Sequence, residues 1–209
     1  MANELPLDHI VLGVPHLEDG AEEFERSTGL RPVFGGRHAT GTANYLVDLG
    51  GEAYLEILGL MPDARGNGQV QPFGIEHVRR PRLLTFCLRS RDIERDAASA
   101  KERGHDVGEV LSLSRTSPDG ARLNWKMSRR QPMAAGGVVP FLMDWGRTPH
   151  PTTRGLPSAS LLDLRISHPD PDSVAASLRA VGSHSYEVGR GPGGLHATID
   201  TPNGVITLN

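Results

Sequence analysis

The chain has 209 residues, a net charge of -3 and a hydrophobic fraction of 37%, which favour a globular protein and give no global field that would attract nucleic acid or an anionic membrane surface. The single cysteine, Cys87, excludes an internal disulfide and fits a reducing compartment. Residues 1–6 do not read as a secretory signal and no apolar run is long enough to span a bilayer, so a cytoplasmic location is expected.

The first elements follow the order strand, helix and three strands. Leu7–Val14 is short, apolar and β-branched, which predicts a buried strand. Leu17–Thr28 places its apolar residues on one helical face and is followed by Gly29, a typical helix stop. The next three strands are predicted at Arg31–Phe34, Asn44–Leu49 and Ala53–Leu58.

The same order returns in the second half of the chain. The predicted elements are a strand at Leu83–Leu88, a helix at Asp92–Arg103, and strands at Glu109–Ser114, Arg122–Met127 and Val138–Trp145. The repetition predicts two βαβββ modules, residues 5–60 and 81–146, within one domain of residues 1–157. We expect an α+β fold in which the tandem modules form one curved, mixed sheet with the helices outside.

Residues 158–209 predict a partial third module that packs on this domain. It would contain strands at Leu161–Ser167, Tyr186–Gly189, His196–Asp200 and Val205–Leu208, and a helix at Asp172–Val181. Val174, Leu178 and Val181 recur on one face of that helix, and such a face must be buried.

Two motifs do not support the chemistry that they usually accompany. Gly189–Gly194 (GRGPGG) has the glycine spacing of a dinucleotide site, but it precedes a strand instead of opening a helix, so no nucleotide cofactor is expected. Ser167 beside His168 lacks the context of a nucleophile elbow, which argues against a hydrolase. Cys87 lies inside a predicted strand and is expected to be an inert, buried thiol.

Several motifs in order resemble the vicinal oxygen chelate superfamily, in its glyoxalase-like bacterial branch. They are LDHIVLGV with Asp8 and His9, GGRHATGTANYLVDLG at Gly35–Gly50, AYLEILG at Ala53–Gly59, and PFLMDWG at Pro140–Gly146 followed by His150 and Pro151. The resemblance covers residues 5–151. It implies an open barrel of βαβββ modules around a concave small-molecule site, which in many members holds a divalent metal.

The resemblance implies metal ligands on the first and last strands of each module. The corresponding positions here are His9, Glu56, Thr85 and Asp144. His9, Glu56 and Asp144 would hold one divalent ion (Mn, Fe, Mg, Zn, Ni or Co), whereas Thr85 departs from the histidine that is often found there. The metal would act as a Lewis acid, or Glu56 would act as a general base.

Each of these residues also has a structural interpretation. His9 could be a core histidine bonded to Asp8, Glu56 could pair with Arg31 or Arg37, and Asp144 could cap the loop that follows it. Strand parity, together with the positions that the resemblance implies, predicts that His9, Glu56 and Asp144 point into one concavity. The substrate-binding candidates that would line it are His38, Asn44, Tyr54 and Trp145.

Two classes of function are compatible with these residues. The first is a metal-assisted lyase or isomerase with Glu56 and His9 as catalytic residues, acting on a small oxygenated metabolite. The second is a non-catalytic protein that binds a drug or metabolite in the same cavity, which Thr85 favours. In either case the expected partner is a small molecule, not nucleic acid or a membrane, and a homodimer stays open.

Overall fold

Twelve strands and three α-helices form the regular structure of the computed structural model, which describes residues 4–64, 71–116 and 120–209. Module one contains β1 (Leu7–Gly13), α1 (Leu17–Thr28), β2 (Val33–Arg37), β3 (Thr42–Gly50) and β4 (Ala53–Leu60). Module two contains β5 (Arg82–Arg89), α2 (Ile93–Glu102), β6 (Glu109–Thr116), β7 (Arg122–Arg129) and β8 (Phe141–Asp144). The third segment contains β9 (Ser160–His168), α3 (Pro171–Ala180), β10 (Val188–Arg190), β11 (Gly194–Thr201) and β12 (Gly204–Leu208). The predicted α+β class and the repeated order of elements are confirmed.

The two modules share one eight-stranded sheet with the order β2-β3-β4-β1-β5-β8-β7-β6. At its centre β1 is antiparallel to β5, and each of these strands has the last strand of its own module as a parallel neighbour. The sheet curls so far that its two edge strands meet. The guanidinium of Arg115 on β6 donates a hydrogen bond to the carbonyl of Gly35 on β2. The predicted curved, mixed sheet is therefore confirmed.

The helices α1 and α2 lie against the outer, convex face of this sheet. Leu17 and Phe24 on α1 belong to the same buried apolar cluster as Ile10 and Leu55 of the sheet. The close approach of α1 requires Gly59, since a Cβ there would lie 2.8 Å from the Cβ of Leu17. Within the described part of the chain, no helix is long and apolar enough to cross a bilayer.

The last strand of module two is shorter than predicted. The sequence predicts a strand over Val138–Trp145, but β8 begins only at Phe141. A short 3-10 turn at Ala134–Gly137 precedes it, and Pro140 has no N–H group to donate to a neighbouring strand. The predicted loop Pro62–Pro81 likewise contains two short 3-10 segments, Pro62–Ala64 and Pro72–His77; residues 65–70 between them lie outside the described residues.

The third segment forms its own sheet, with the order β10-β9-β11-β12, and packs on both modules. Leu164 and Leu178 share one apolar cluster with Phe86 of β5. The backbone N–H of Leu83 donates to the carbonyl of Asn209 at 2.7 Å, and the Arg103 side chain donates to the carbonyl of Ala180. The boundary between a domain of residues 1–157 and a separate module of residues 158–209 stays a prediction.

The shared cluster makes the cooperativity of this packing testable. Leu178 is fully buried, so Leu178→Ala should lower the free energy of unfolding by about 2–5 kcal/mol. Both tryptophans, Trp125 and Trp145, lie in module two, so their fluorescence during denaturation reports on the main domain. If residues 158–209 fold with that domain, the tryptophan transition shifts to lower denaturant.

The matched control is Leu162→Ala in the same segment, since Leu162 is 57% exposed and its loss should change stability by at most about 0.5 kcal/mol. A tryptophan transition that is unchanged in Leu178→Ala would contradict the prediction.

Candidate functional site

A β-bulge near the start of β1 turns two consecutive side chains toward each other. Opposite Leu88 and Cys87 of β5, the register of β1 steps from Leu7 to His9, which leaves Asp8 as the extra residue. In a regular strand neighbouring side chains point to opposite faces, and a bulge re-aims one of them. Asp8 and His9 are both buried, and the Nδ1 atom of His9 lies 2.6 Å from Oδ1 of Asp8.

The carboxylate of Asp8 is surrounded by nitrogen donors. Besides His9, it accepts from Nε1 of Trp145 at 2.9 Å and from Nε2 of His150 at 3.2 Å, both on its Oδ2 atom. Burial alone would raise the pKa of Asp8, but the hydrogen bonds from His150 and His9 hold it well below its usual value of 3.8. Asp8 is therefore an anion at neutral pH.

This anion determines the proton arrangement of His9. A carboxylate only accepts hydrogen bonds, so Nδ1 of His9 carries a proton and, in the neutral ring, Nε2 is the acceptor. The ring is stacked on Tyr54 at a centroid distance of 4.7 Å and meets Phe141 edge-on at 5.4 Å. Hydrogen bonding and packing thus hold His9 with its Nε2 atom facing the concave side of the sheet.

Glu56 on β4 is the acid nearest to that nitrogen. Its Oε2 atom lies 3.8 Å from Nε2 of His9, too far for a direct hydrogen bond, while its Oε1 accepts from the Asn44 amide at 2.6 Å. The alternative in which Glu56 pairs with Arg31 or Arg37 is not borne out, because Asn44 holds the carboxylate. A ligand atom that lies beside the pair, off the line that joins them, could come within hydrogen-bond distance of both Nε2 and Oε2.

These groups line one cavity on the concave side of the sheet. His38 and Trp145 line it together with His9, Glu56, Asn44 and Tyr54, and Arg115 adds a partly buried cation. Nδ1 of His38 lies 2.8 Å from the Thr42 hydroxyl, and burial lowers the pKa of His38, so its ring is neutral.

Burial also keeps two further groups in the cavity region protonated. It raises the pKa of the Tyr54 hydroxyl and of the Cys87 thiol, in each case with help from Asp8 and Glu56. Neither group is therefore a base at neutral pH. The acid–base capacity of the cavity lies with His9 and Glu56.

The structure does not bring Asp144 into this cavity, and that prediction is wrong. Phe141 and Met143 of β8 line the cavity, so the alternate residues Leu142 and Asp144 point away from it. The carboxylate of Asp144 accepts from the Gly146 N–H at 2.8 Å and lines a separate surface groove. Its side chain caps the following loop.

The strand registers show which residues correspond between the modules. Val11 pairs with Glu56 on the parallel neighbour of β1, and Cys87 pairs with Phe141 on the parallel neighbour of β5. Between the central strands, His9 is opposite Cys87 and Val11 is opposite Thr85. The local two-fold relation therefore makes Thr85 the counterpart of His9 and Phe141 the counterpart of Glu56.

This correspondence leaves a metal with an incomplete set of donors. His9 and Glu56 could each supply one atom, but the positions in module two carry a hydroxyl and a hydrocarbon ring, and tightly bound ions take three or four protein ligands. Asp8, His9 and Cys87 also form a buried group of ligand atoms within 4.8 Å of one another. There, however, the 2.6 Å contact of Asp8 with His9 is a hydrogen bond, too short for two ligands of one ion. The donor set does not fit a tightly held metal.

Sequence reasoning assigns no role in the cavity to two groups of the site. It treats Asp8 only as an anchor for a core histidine, and no signal in the chain predicts the bulge that turns it toward His9. Arg115 lies on β6, which alternates exposed and half-buried residues, and no local pattern distinguishes it from a surface arginine.

Comparison with known proteins agrees with this fold. The pattern of a family described as Glyoxalase-like domain matches residues 7–182. The crystal structure of a hypothetical protein from Staphylococcus aureus covers 97% of this chain and 98% of its own, with a TM-score of 0.70 at 12% identity. Such a likeness shows the fold. None of the curated proteins matches the sequence significantly.

Epimerase structures are also similar over part of the chain. Methylmalonyl-CoA epimerase from Mycobacterium tuberculosis is 19% identical and covers 73% of this chain and 95% of its own, with a TM-score of 0.46. A Streptomyces coelicolor methylmalonyl-CoA epimerase in complex with 2-nitronate-propionyl-CoA is 17% identical. It covers 71% of this chain and 100% of its own, with a TM-score of 0.46. These scores are too low to transfer an activity.

Completing the ligand set in module two should create a metal site. In Thr85→His/Phe141→Glu the new imidazole and carboxylate join His9 and Glu56, and each good ligand should raise the affinity for Zn(II) or Co(II) about tenfold or more, roughly 1.4 kcal/mol. Calorimetric titration against the wild type measures the gain. His9→Ala in the same background should abolish it, and Asp144→Asn should leave it unchanged. A loss caused by Asp144→Asn would contradict the assignment of Phe141.

The buried anion predicts a specific dependence of stability on pH. Because the pKa of Asp8 is lowered in the folded state, its contribution is fully present above the usual value of 3.8 and is lost as the pH falls below it. Asp8→Asn should therefore lower the free energy of unfolding by about 1–3 kcal/mol at pH 7, because the donors around Asp8 lose a charged acceptor. The loss should be smaller in acid. Urea unfolding at several pH values measures this difference.

The control is Asp163→Asn, because Asp163 forms a surface ion pair with Arg165 that should contribute little at any pH. An Asp8→Asn penalty that grows toward low pH would contradict the ionised state of Asp8.

Proposed function

The chain belongs to the glyoxalase-like domain family, and on that premise we propose that it binds a small oxygenated metabolite in the His9 cavity and moves a proton on it. The reaction would be of the lyase or isomerase type, at a carbon next to a carbonyl group. The observation that carries the proposal is the 3.8 Å gap between Nε2 of His9 and Oε2 of Glu56, each held by its own partner. A ligand atom that lies beside this pair could come within hydrogen-bond distance of both groups, one acting as a base and the other as an acid.

His9 is the proposed base. With the proton of Nδ1 committed to Asp8, Nε2 has a lone pair directed at the cavity, and Asp8 stabilises the imidazolium that forms when Nε2 takes a proton. The electron pair of the broken C–H bond would move onto the carbonyl oxygen and form an enolate. Tyr54 stacked on the ring excludes water from one side of it.

Glu56 and Arg115 are proposed to handle the other end of the reaction. Glu56 would take up a proton from bulk water and donate it to the enolate, and His9 would release the proton it took to bulk water, so that both side chains return to their starting state. Asn44 holds the carboxylate of Glu56 in place. The partly buried guanidinium of Arg115 would attract a carboxylate or the developing oxyanion of the ligand. A small carbonyl compound with an acidic group is therefore the favoured substrate class.

No step is assigned to a metal. The cavity offers two ligand side chains, His9 and Glu56, to any of the divalent ions that the sequence suggests. Such a pair does not hold an ion at the level needed for a resident cofactor. We propose that proton transfer proceeds without one, and with no nucleotide cofactor.

A second function is favoured by the apolar half of the cavity. Phe141 lines the cavity at the position where a carboxylate would complete the polar set, and Thr85 lines an adjoining chamber. A cavity of this kind can hold a drug or metabolite without changing it. In this case His9 and Glu56 would orient the ligand by hydrogen bonds. For both functions the proposed partner is a small molecule and the proposed location is the cytoplasm.

Solvent deuterium exchange separates the two functions. Pyruvate carries a carbonyl, a carboxylate and exchangeable methyl protons, so proton NMR in deuterated buffer can follow the loss of its methyl signal. The chelator-treated protein should accelerate this loss, and Glu56→Gln and His9→Gln should each reduce the acceleration about 100-fold or more. Asp144→Asn is the control that should retain it. Saturation-transfer NMR measures binding of the same probe; binding without exchange would reject the catalytic role in favour of the binding protein.

A further inference from the structure

We propose that a second chamber beside the His9 cavity is a ligand subsite for a planar amide, in which an N–H and a C=O group lie side by side. The chamber has a volume of about 390 Å³ and is separated from the His9 cavity by Phe73 and Phe141, which line both. Their rings pack at a centroid distance of 5.1 Å. The proposal does not depend on proton transfer at His9.

The amide of Gln71 is the observation that points to a ligand. Gln71 lines the chamber and is 3% exposed, yet neither its Nε2 nor its Oε1 atom has a hydrogen-bond partner among the described residues. Buried polar groups are almost always paired, because leaving them unpaired after removal from water costs free energy. A carboxamide presents an N–H donor next to a C=O acceptor. A lactam, an imide or a primary amide presents a C=O group and an N–H group side by side, so it can accept from Nε2 and donate to Oε1 of Gln71 at once.

A second unpaired group lines the same chamber. Oε2 of Glu76 is buried and has no partner in the described part of the chain, while its Oε1 lies 3.9 Å from Nε2 of His77. A carboxylate oxygen accepts N–H groups, so it suits a further donor on the ligand. The flat faces of the ligand would meet the apolar side chains of Met127, Val139 and Phe141.

The segment that carries these groups has an unusual backbone. Phe73 has φ 59° and ψ 14°, a left-handed conformation that is uncommon for residues other than glycine. It lies between Gln71 and Glu76 and turns its ring onto Phe141. Such conformations persist where surrounding structure or a ligand site requires them. Here the turn places both unpaired groups on one side of the aromatic partition.

The effect of Gln71→Met on stability is the first test. Methionine has nearly the same shape as glutamine but no amide, so the ligand-free variant should keep or raise the melting temperature, because two unpaired polar atoms are removed. A glutamine with a structural role would show the opposite change. A marked fall in melting temperature, together with unchanged binding of the probe below, would overturn the proposal.

Binding is measured with 2-pyrrolidinone, a lactam, by nitrogen–proton correlation NMR. The side-chain NH2 signals of Gln71, identified by their loss in Gln71→Met, should shift and saturate as the probe is added. N-methyl-2-pyrrolidinone, which lacks the N–H group, should bind to the wild type about tenfold more weakly than 2-pyrrolidinone does. 2-Pyrrolidinone should likewise bind to Gln71→Met about tenfold more weakly, as measured from the backbone signals of residues that line the chamber. Equal affinities, or no saturable shift, would overturn the proposal.

One further variant separates this result from the proposed function. Glu56→Gln alters the His9 cavity alone, so it should leave the affinity for 2-pyrrolidinone unchanged while it removes the proton exchange of pyruvate. If the lactam binds and no exchange occurs, the subsite stands and the catalytic proposal fails. If exchange occurs and the lactam does not bind, the catalytic proposal stands and the subsite proposal fails.

Discussion

The buried carboxylate of Asp8 is the charge around which the site is arranged. Its three donors come from separate parts of the chain: His9 on the same strand, Trp145 directly after β8, and His150 in the loop beyond. A hydrogen bond to a charged group contributes about 1.5–3 kcal/mol, so three of them can offset the several kcal/mol that desolvation of one ion costs. The lowered pKa shows that the donors prevail. Asp8 fixes the tautomer of His9, and it helps to hold the loop at His150, whose ring also contacts Tyr54 and Trp145.

The two modules have the same fold but contribute different chemistry to the cavity. Module one supplies an imidazole and a carboxylate at the positions where module two supplies Thr85 and Phe141. A repeated backbone brings equivalent positions together across β1 and β5, but it does not require equivalent side chains there. The result is a polar half, with His9 and Glu56, that faces the apolar ring of Phe141. Phe141 also packs against His9, so the apolar half supports the polar one.

The fold followed from the sequence because it depends on repeated local signals. The helix at Leu17–Thr28 and the start of β4 at Ala53 were predicted at their observed positions, since apolar periodicity and turn residues determine both. Asp144 was misplaced because the resemblance put the ligand of β8 there, and the alternation that Asp144 shares with Leu142 does not tell which face of the strand is concave. Phe141 and Met143 occupy the concave face. The network around Asp8 depends on a bulge and on contacts between residues more than 130 positions apart, and no short-range pattern encodes either.

The same strands carry stability on one face and polar chemistry on the other. On β4, Leu55 and Ile57 belong to the large convex cluster with the helices, while Tyr54 and Glu56 between them face the cavity. On β1, Ile10 packs outward and His9 inward. Because side chains alternate along a strand, residues on the concave face can become polar with little loss from the cluster that stabilises the fold. This separation explains how the curled sheet can keep buried charges, such as that of Asp8, which a solely structural core would exclude.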